Sequence, residues 1–327
     1  MKKLSVFLLS LWLFAPSFAQ SHKKFEIHEG SITNLYDAFG KNSNLVQDFG
    51  FSSILKYQGK TILFDAGSNA DIFKKNVKTL GVDLRKVDVV VISHSHFDHL
   101  NGIDYLLKIN PKVKIYFPFD IFWGAPVPYD ATGQDSTTKN LLPVHMRYFG
   151  GGKTKFQIMQ SGRFWNGNVE FVKSSIEIEP GIRLVATNSP FMGYFSGYPN
   201  KSFVDGQFQS ADNSNYKYTN LPELSLSLKT DKGEVLIVGC SHSGVERIVE
   251  QTKKETAHKI ELVYGGFHLI PFDQNKISEI CHYLKDGLAV HRVAPAHCTG
   301  HLGFKIFSDV FLGDYLFAGL GETLSFK

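Results

Sequence analysis

The chain has 327 residues, of which 43% are hydrophobic and 20% are charged, and its formal net charge is +4. These proportions exclude a mainly disordered, collagen-like or coiled-coil protein. The small net charge gives no indication of nucleic-acid binding, so we expect no nucleic-acid partner.

Residues 1–19 have the pattern of an export signal. Lys2 and Lys3 precede an apolar run that ends at Ala15, and small residues, Ser17 and Ala19, occupy the positions that define a cleavage site. The run is shorter than the roughly 20 residues that span a bilayer, which disfavours the alternative of an uncleaved membrane anchor. We therefore expect cleavage after Ala19, a periplasmic or secreted protein, and no stable membrane span in the mature chain.

In the first half, short apolar strands alternate with a helical pattern. Ser53–Tyr57 and Thr61–Phe64 are predicted to form a strand pair, and a helix is predicted over Asp71–Leu80, ending at Gly81. The continuous apolar run Val87–Ile92 is typical of a strand that is buried on both faces.

The second half repeats this order of elements. The patterns predict, in turn, strands at Leu224–Lys229 and Glu234–Val238, a helix that begins near Val245, a strand at Ile260–Tyr264, an amphipathic helix around Ile277–Leu284 and a final strand at Val290–Ala294. Alternating strands and helices of this kind indicate an α/β protein, here a single domain over residues 20–327.

Roughly between residues 117 and 222 the pattern becomes irregular and rich in aromatic residues, among them Phe122-Trp123, Phe164-Trp165 and the run Phe191–Tyr198. A structureless loop of that length is implausible in a compact domain, so we predict an insertion with strands of its own that forms a cap over a site. The alternative is that these aromatic residues belong to an ordinary core, and both interpretations stay open.

The three cysteines, Cys240, Cys281 and Cys298, are too few for a disulfide scaffold. In an oxidising compartment an exposed, unligated thiol would be a liability. We therefore expect the three thiols to be buried or close to a metal, and we favour burial.

The run His94–His99, which reads His-Ser-His-Phe-Asp-His, places three imidazoles and a carboxylate directly after a predicted strand. Alternate side chains of an extended segment share one face, so His94 and His96 can bind one cation. If the chain then turns, Asp98 and His99 can face a second cation close by. Imidazole nitrogen and carboxylate oxygen suit zinc, iron or manganese, so the sequence predicts one or two divalent ions, with zinc preferred.

Three further histidines follow later strands in the same way: His242 in Gly-Cys-Ser-His, His268 in Gly-Gly-Phe-His and His297 in Pro-Ala-His-Cys. Strand ends at one edge of a sheet converge, so these residues can complete two coordination shells. Other histidines lack such contexts and are interpreted as surface or core residues, namely His22, His28, His145, His258, His282 and His291. His301 is a candidate for an outer position at the site.

These motifs resemble the metallo-β-lactamase superfamily from about Ile27 to the C-terminus. The signature at His94–His99, an upstream Phe-Asp-Ala-Gly ending at Gly67 and the later strand-terminal histidines occur in the expected order. Within the superfamily the later motifs are most similar to the 7,8-dihydropterin-6-methyl-4-(β-D-ribofuranosyl)aminobenzene-5′-phosphate synthase-like branch. The resemblance implies a four-layer αββα sandwich, a metallo-β-lactamase fold, with the metal site along one edge.

The resemblance also implies a set of ligands, with His94, His96 and His242 in a first metal site and Asp98, His99 and His297 in a second. Asp65 would support the loop that carries the metal ligands. Most superfamily hydrolases have an Asp that bridges both metals, where this chain has His268. A neutral imidazole cannot bridge two cations as a carboxylate does, so the second metal would bind weakly or Glu223 would approach it from a neighbouring strand.

Water held between divalent cations loses a proton near neutral pH. The resemblance therefore implies an exported hydrolase that uses a metal-bound hydroxide on a small ester, amide or phosphorylated heterocyclic substrate. Asp98 would orient the hydroxide, and a metal or His268 would stabilise the leaving group. The Ser243-Gly244 turn opens a predicted helix, whose amides could hold an anion such as phosphate.

Three alternatives are weighed against this hydrolase. A β-lactam hydrolase fits the expected compartment but not the long interval from His99 to His242 or the motif at His268. A di-iron oxidoreductase, as in flavodiiron relatives, is opposed by His96, because in those relatives the second His of the signature resembles a Glu position. A non-catalytic metal- and ligand-binding protein of the same fold is disfavoured by the complete set of ligands at His94–His99.

Overall fold

The computed structural model describes residues 29–120, 123, 127–130, 140–147, 155–158, 167–189, 203–204, 207–208 and 221–327. The predicted signal at residues 1–19 lies outside these residues, as do Phe122, Phe164, Trp165 and the run Phe191–Tyr198 of the predicted cap. Within the described ranges, no helix has the length and apolar character needed to cross a membrane.

The strands of the described residues are, in chain order, β1 (Gly30–Tyr36), β2 (Ser52–Tyr57), β3 (Lys60–Phe64), β4 (Val89–Val91), β5 (Lys114–Pro118), β6 (Val127–Asp130), β7 (Lys155–Ile158), β8 (Asn168–Val172), β9 (Ile176–Glu179), β10 (Ile182–Ser189), β11 (Phe203–Val204), β12 (Gln207–Phe208), β13 (Leu221–Thr230), β14 (Gly233–Val238), β15 (Ile260–Gly266), β16 (Arg292–Ala296) and β17 (Thr323–Phe326). The α-helices are α1 (Ala70–Thr79), α2 (Phe97–Leu100), α3 (Ile103–Ile109), α4 (Val245–Thr256), α5 (Gln274–His282) and α6 (Gly300–Phe311).

Two sheets make up the frame of the molecule. The first has the order β17-β1-β2-β3-β4-β5-β8 and the second the order β16-β15-β14-β13-β10-β9. Apolar residues of both sheets, such as Leu55, Phe64 and Leu226, form one core between them. A second core lies under α1 and α3 on the outside of the first sheet, and a third lies under α4, α5 and α6 on the outside of the second. The predicted αββα sandwich is therefore confirmed.

The predicted strand pair at the start of the domain is confirmed as the antiparallel hairpin β2–β3, in which Leu55 lies opposite Ile62. The hairpin turns at Gln58 and Gly59, whose φ angles are 49° and 76°. Two consecutive positive φ angles are typical of the tight turns whose twist matches that of paired strands.

Two strands at the edge of the first sheet were not predicted. β17 pairs with β1 in antiparallel register, with Ile32 opposite Leu324. The strand predicted at Val290–Ala294 corresponds to β16, Arg292–Ala296. It is not the final strand, because β17 follows it. β1 and β17 stabilise each other although they lie near opposite ends of the described chain. Local periodicity carries no information about such a distant partner.

Within the predicted insertion, the strands β8, β9 and β10 belong to the two main sheets. β8 extends the first sheet beside β5, and β10 pairs with β13 in the second. The apolar side chains of Ile182 and Leu184 are buried in the core between the sheets. The described aromatic residue Trp123 packs near Phe117 in the core outside the first sheet, as the alternative interpretation expects.

Candidate metal centre

Asp65 organises one wall of the site. It follows β3 directly, and its buried carboxylate accepts three hydrogen bonds, from the backbone N of Ser93, from Ser93 Oγ and from His99 Nδ1, each at 2.7 Å. The backbone N of Asp65 donates to the carbonyl of Val91 at 2.9 Å, which joins the ends of β3 and β4. Asp65 thus holds the loop that carries the histidine cluster, as the resemblance implies.

The same hydrogen bonds set the orientation of two imidazoles. His94 Nδ1 lies 2.9 Å from Ser93 Oγ, a hydroxyl that already donates to Asp65, so Nδ1 of His94 is the donor. Nδ1 of His99 likewise donates to Asp65. Both rings therefore direct Nε2, the nitrogen that faces away from Ser93 and Asp65, into the site. A carboxylate behind a ring in this way is the usual support of a metal-binding histidine.

His242 faces this wall from the other sheet. It lies in the loop after β14, and its Nε2 is 3.2 Å from Nε2 of His94. The ring centroid of His96 lies 4.6 Å from that of His94 and 4.7 Å from that of His242. The three predicted ligands of the first site are thus brought together, with His94 and His242 in closest contact and His96 half-buried beside them.

Glu223 holds the His242 loop. It does not approach a second metal position, which was one of the two alternatives that the sequence left open. Its carboxylate accepts from the backbone N of His242 at 2.8 Å and from the backbone N and Oγ of Ser243 at 2.6 and 2.7 Å. Both oxygens of the buried carboxylate therefore accept hydrogen bonds from this loop. The Ser243 amide is consequently not available to the substrate anion that the sequence suggested.

The second predicted group also converges. Asp98 Oδ2 lies 3.7 Å from His99 Nε2 and 3.4 Å from His297 Nε2. Cys240 Sγ lies between the same rings, 3.1 Å from His99 Nε2 and 3.3 Å from His297 Nε2. The ligand atoms of Asp98, His99, Cys240 and His297 all lie within 4.8 Å of one another. Cys240 was not predicted as a site residue, although its place two residues before His242 is a usable signal.

His297 is positioned by a carboxylate that the sequence analysis missed. Its backbone N donates to Asp37 Oδ2 at 3.1 Å, and Asp37 also accepts from Asn34 Nδ2 at 3.1 Å and from the N of Ala38 at 2.7 Å. Burial raises the pKa of Asp37 to about 7. Asp37 follows β1, a strand that we did not predict, so no strand-end pattern pointed to it.

His268 lies next to the first group. Its ring centroid is 4.2 Å from that of His242, and both of its ring nitrogens are buried without a hydrogen-bond partner among the described residues. Unpartnered buried nitrogens are costly unless a ligand or ion binds them. Asp65, His268 and His297 all have positive φ, at 57°, 49° and 49°, a conformation that is uncommon in non-glycine residues and is over-represented at functional sites.

Burial sets the protonation of the cluster. It lowers the pKa of His94 and His242 well below the ordinary value and that of His96 to about 4, so the three imidazoles are neutral at neutral pH. Burial alone would raise the pKa of Asp98, but the neighbouring His99 and His297 hold it well below its usual range. Neutral imidazoles and an ionised carboxylate are the forms that bind metal ions, so these side chains fit zinc, iron or manganese. Burial alone would lower the pKa of His297, but Cys298, Asp98 and Asp37 raise it to about 9, so His297 must lose a proton when it binds an ion.

Comparison with known proteins agrees with this geometry. Residues 45–152 match the family model of the metallo-β-lactamase superfamily. This match assigns a metallo-β-lactamase domain to residues 45–152. The resemblance inferred from the motifs is therefore confirmed.

The metallo-β-lactamase domain has relatives that are similar over most of their length. The 7,8-dihydropterin-6-methyl-4-(β-D-ribofuranosyl)-aminobenzene-5′-phosphate synthase of Methanocaldococcus jannaschii is 26% identical over 300 residues, which are 89% of this chain and 94% of that protein. An uncharacterized protein of the same organism is 26% identical over 84% of this chain and 92% of its own. Tm1679, a metal-dependent hydrolase of the β-lactamase superfamily, has a solved structure that superposes with a TM-score of 0.60 at 25% identity, covering 90% of this chain and 98% of its own.

An apolar cavity of about 380 Å³ adjoins the candidate metal centre beside His297. Its walls include Phe49, Ile270 and Phe304, and the ring centroid of Phe49 lies 4.8 Å from that of His297. His301 lines this cavity and is exposed, outside the groups of candidate ligands. The described histidines that we interpreted as structural lie outside the candidate ligands. Three pair with carboxylates, His258 with the buried Glu234, His291 with the buried Glu261 and His282 with the exposed Asp286, and His145 is exposed.

Proposed function

We propose that this chain is a metal-dependent hydrolase that acts on a small ester, amide or phosphorylated heterocyclic substrate. One observation carries the proposal: nitrogen, oxygen and sulfur ligand atoms from strand ends of both sheets converge within 4.8 Å of one another. Structural roles rarely bring so many buried ligand groups together, whereas metal ions require it.

We assign the residues as follows. His94, His96 and His242 would hold one divalent ion, and Asp98, His99 and His297 would hold another, with zinc as the preferred ion. An ion held there would provide a nucleophile near neutral pH by lowering the pKa of water, and it would polarise the oxygen under attack. Asp65 and Glu223 fix the two loops that carry these ligands, so the ligands are in place before substrate binds.

Two side chains contact the reacting groups in this proposal. Asp98 stays ionised, because His99 and His297 lower its pKa, and it orients the attacking water by accepting a hydrogen bond. His268 has two unpartnered ring nitrogens beside His242, and it donates a hydrogen bond to the leaving group.

The apolar cavity beside His297 supports a substrate with an apolar or aromatic portion. Its walls carry few polar atoms, and they include Phe39, Phe49, Leu269 and Phe304. Pockets of a few hundred Å³ with such walls bind small organic molecules. The scissile bond would face the metal ligands while the apolar portion fills the cavity.

The similarity to the methanogen protein favours a second candidate. That relative is a synthase of a pterin-type compound, and the similarity extends over 89% of this chain. A synthase would use the same ligands to activate a phosphorylated substrate without net hydrolysis. Release of a hydrolysis product from the substrate alone, without a second substrate, separates the two candidates.

The test of hydrolysis uses protein purified without added metal and then loaded with zinc. We expect turnover of at least one member of a panel of aryl esters, lactones, phosphodiesters and the β-lactam nitrocefin, and loss of nearly all turnover in His94→Ala. His282→Ala, which removes an exposed imidazole paired with Asp286, is the matched control and should retain the wild-type rate. An unchanged rate in His94→Ala would contradict the proposal, and zinc-loaded protein without any turnover would favour a binding protein.

We also propose that the protein is exported. The support is the pattern of residues 1–19, with its lysines, its apolar run and the small residues before Gln20. N-terminal sequencing of the protein from cell fractions should give a periplasmic or secreted form that begins at Gln20. A full-length form confined to the cytoplasm would contradict export.

A further inference from the structure

Cys240 lies in the centre of the candidate metal site. It follows β14, its side chain is 3% exposed, and its Sγ is 3.1 Å from His99 Nε2 and 3.3 Å from His297 Nε2. Its Sγ also forms a group with the ligand nitrogens of His94 and His242, all within 4.8 Å of one another. Among the described residues there are three such groups, the third formed with His268 and Cys298, and Cys240 belongs to all of them.

We propose that Cys240 Sγ is a metal ligand shared by the two cation positions, an inference that rests on the proposed metal centre. It takes the place of the bridging Asp, whose absence at His268 led us to expect weak binding of a second ion. A thiolate has several lone pairs and a full negative charge, so one sulfur can contact two cations where a neutral imidazole cannot.

The charges at the site support this assignment. The first group otherwise consists of neutral imidazoles, and Asp98 contributes a single negative charge to the second. Asp65 and Glu223 also lie close, but their oxygens accept hydrogen bonds from the loops. Two buried divalent ions require anionic ligands to offset the cost of leaving water. Burial and the neighbouring Cys298 raise the pKa of the Cys240 thiol well above its ordinary value, so a bound ion would have to displace its proton. The resulting thiolate would supply the missing charge at the point where the groups meet.

Cys298 contacts Cys240 directly. Cys298 Sγ donates to Cys240 Sγ at 3.4 Å and lies near the Cys240 carbonyl oxygen at 3.5 Å. A donor aimed at the sulfur stabilises Cys240 as an acceptor and leaves its other lone pairs for cations. Cys281 is buried in the core under α5, away from the site, and it offers a matched control.

The test loads the full-length wild-type protein and the variants Cys240→Ser, Cys298→Ser and Cys281→Ser with cobalt(II) and records the near-ultraviolet spectrum. We expect a thiolate-to-cobalt charge-transfer band in the wild type, in Cys281→Ser and in Cys298→Ser, and loss of the band in Cys240→Ser. Because Cys240→Ser could fail to fold, X-ray absorption of the zinc-loaded wild type gives an independent result. We expect a sulfur neighbour at about 2.3 Å from zinc.

The outcomes separate the two proposals. Bound metal with only nitrogen and oxygen neighbours would overturn the role of Cys240 and leave the proposed hydrolase standing. A band that Cys298→Ser abolishes and Cys240→Ser retains would overturn it also, as would a Cys240–Cys298 disulfide in the metal-loaded protein. Wild-type protein that binds neither cobalt nor zinc would overturn both proposals.

Discussion

Asp65 acts on the site through the side chains around it. Its carboxylate accepts hydrogen bonds from Ser93 and His99, and the Ser93 hydroxyl in turn accepts one from His94. A single buried carboxylate therefore orients two candidate metal ligands. Orientation of this kind contributes to metal affinity because a ligand that is already in place loses little freedom when the ion binds.

We predict that Asp65→Asn weakens zinc binding by about 10- to 100-fold, the usual effect of losing the partner behind a metal-binding histidine. The amide has one acceptor oxygen for three donors, so either the Ser93 or the His99 contact is lost. Competition with a chelator measures the dissociation constant. Asp88→Asn is the matched control, because the exposed Asp88 carboxylate accepts a bond from the N of Thr61 at 2.8 Å far from the cluster. Equal affinities in the two variants would contradict the role of Asp65.

Residue patterns predicted the candidate ligands better than their supports. Histidines after strands stand out in the sequence, and the structure brings His94, His242 and His297 together. Asp37 and Cys240 were missed as site residues, since their importance depends on contacts with His297, which lies 260 and 57 positions away in the chain. Glu223 was placed near the site, but its bonds to the His242 loop follow from backbone geometry that composition does not show.

At the scale of elements, Gly239 lets the two sheets meet at the site. It follows β14, and a β-carbon at this position would lie 2.1 Å from Ser93 Oγ and 3.2 Å from Asp65 Oδ2. The loops after β14 and β4 can therefore approach closely only because residue 239 has no side chain.

We predict that Gly239→Ala displaces Ser93, breaks its bond to Asp65 and lowers the free energy of unfolding by about 1 to 3 kcal/mol. Urea denaturation measures this change, and zinc affinity should fall in the same variant. Gly313→Ala is the control, because a β-carbon at Gly313 has no neighbour within 4 Å. If Gly239→Ala had the stability and the zinc affinity of the wild type, the close approach would not matter for the site.

Elements with a strong local pattern were predicted from the sequence, whereas those that depend on distant partners were not. The apolar runs of β3, β14 and β15 are buried on both faces of their sheets and stand out in any window. β1 and β17 have weaker patterns and become strands by pairing with each other. β8 and β10 were hidden in a stretch whose aromatic content suggested a cap, although Ile182 and Leu184 already carried the alternation of a strand.

For the molecule as a whole, the candidate site joins the two sheets. His94, Asp98 and His99 follow strands of the first sheet, while Cys240, His242 and His297 follow strands of the second. Ions bound by both sets would link the two halves of the sandwich in the folded chain and have no equivalent site in the unfolded one.

We predict that zinc raises the melting temperature of the wild type in a concentration-dependent manner. Free zinc at 100 times its dissociation constant should stabilise the folded state by about 2.7 kcal/mol, provided that the unfolded chain does not bind it. Calorimetry at several zinc concentrations measures the effect, and chelator should reverse it. His94→Ala should show a clearly smaller shift than the control His282→Ala, and equal shifts would place the stabilising ion elsewhere.

The most direct measurement is anomalous diffraction at the zinc absorption edge from crystals of the zinc-loaded protein. The account predicts strong peaks among Nε2 of His94, His99, His242 and His297, within about 2.0 to 2.3 Å of the ligand atoms. Zinc peaks confined to surface side chains, with none among these four histidines, would contradict it.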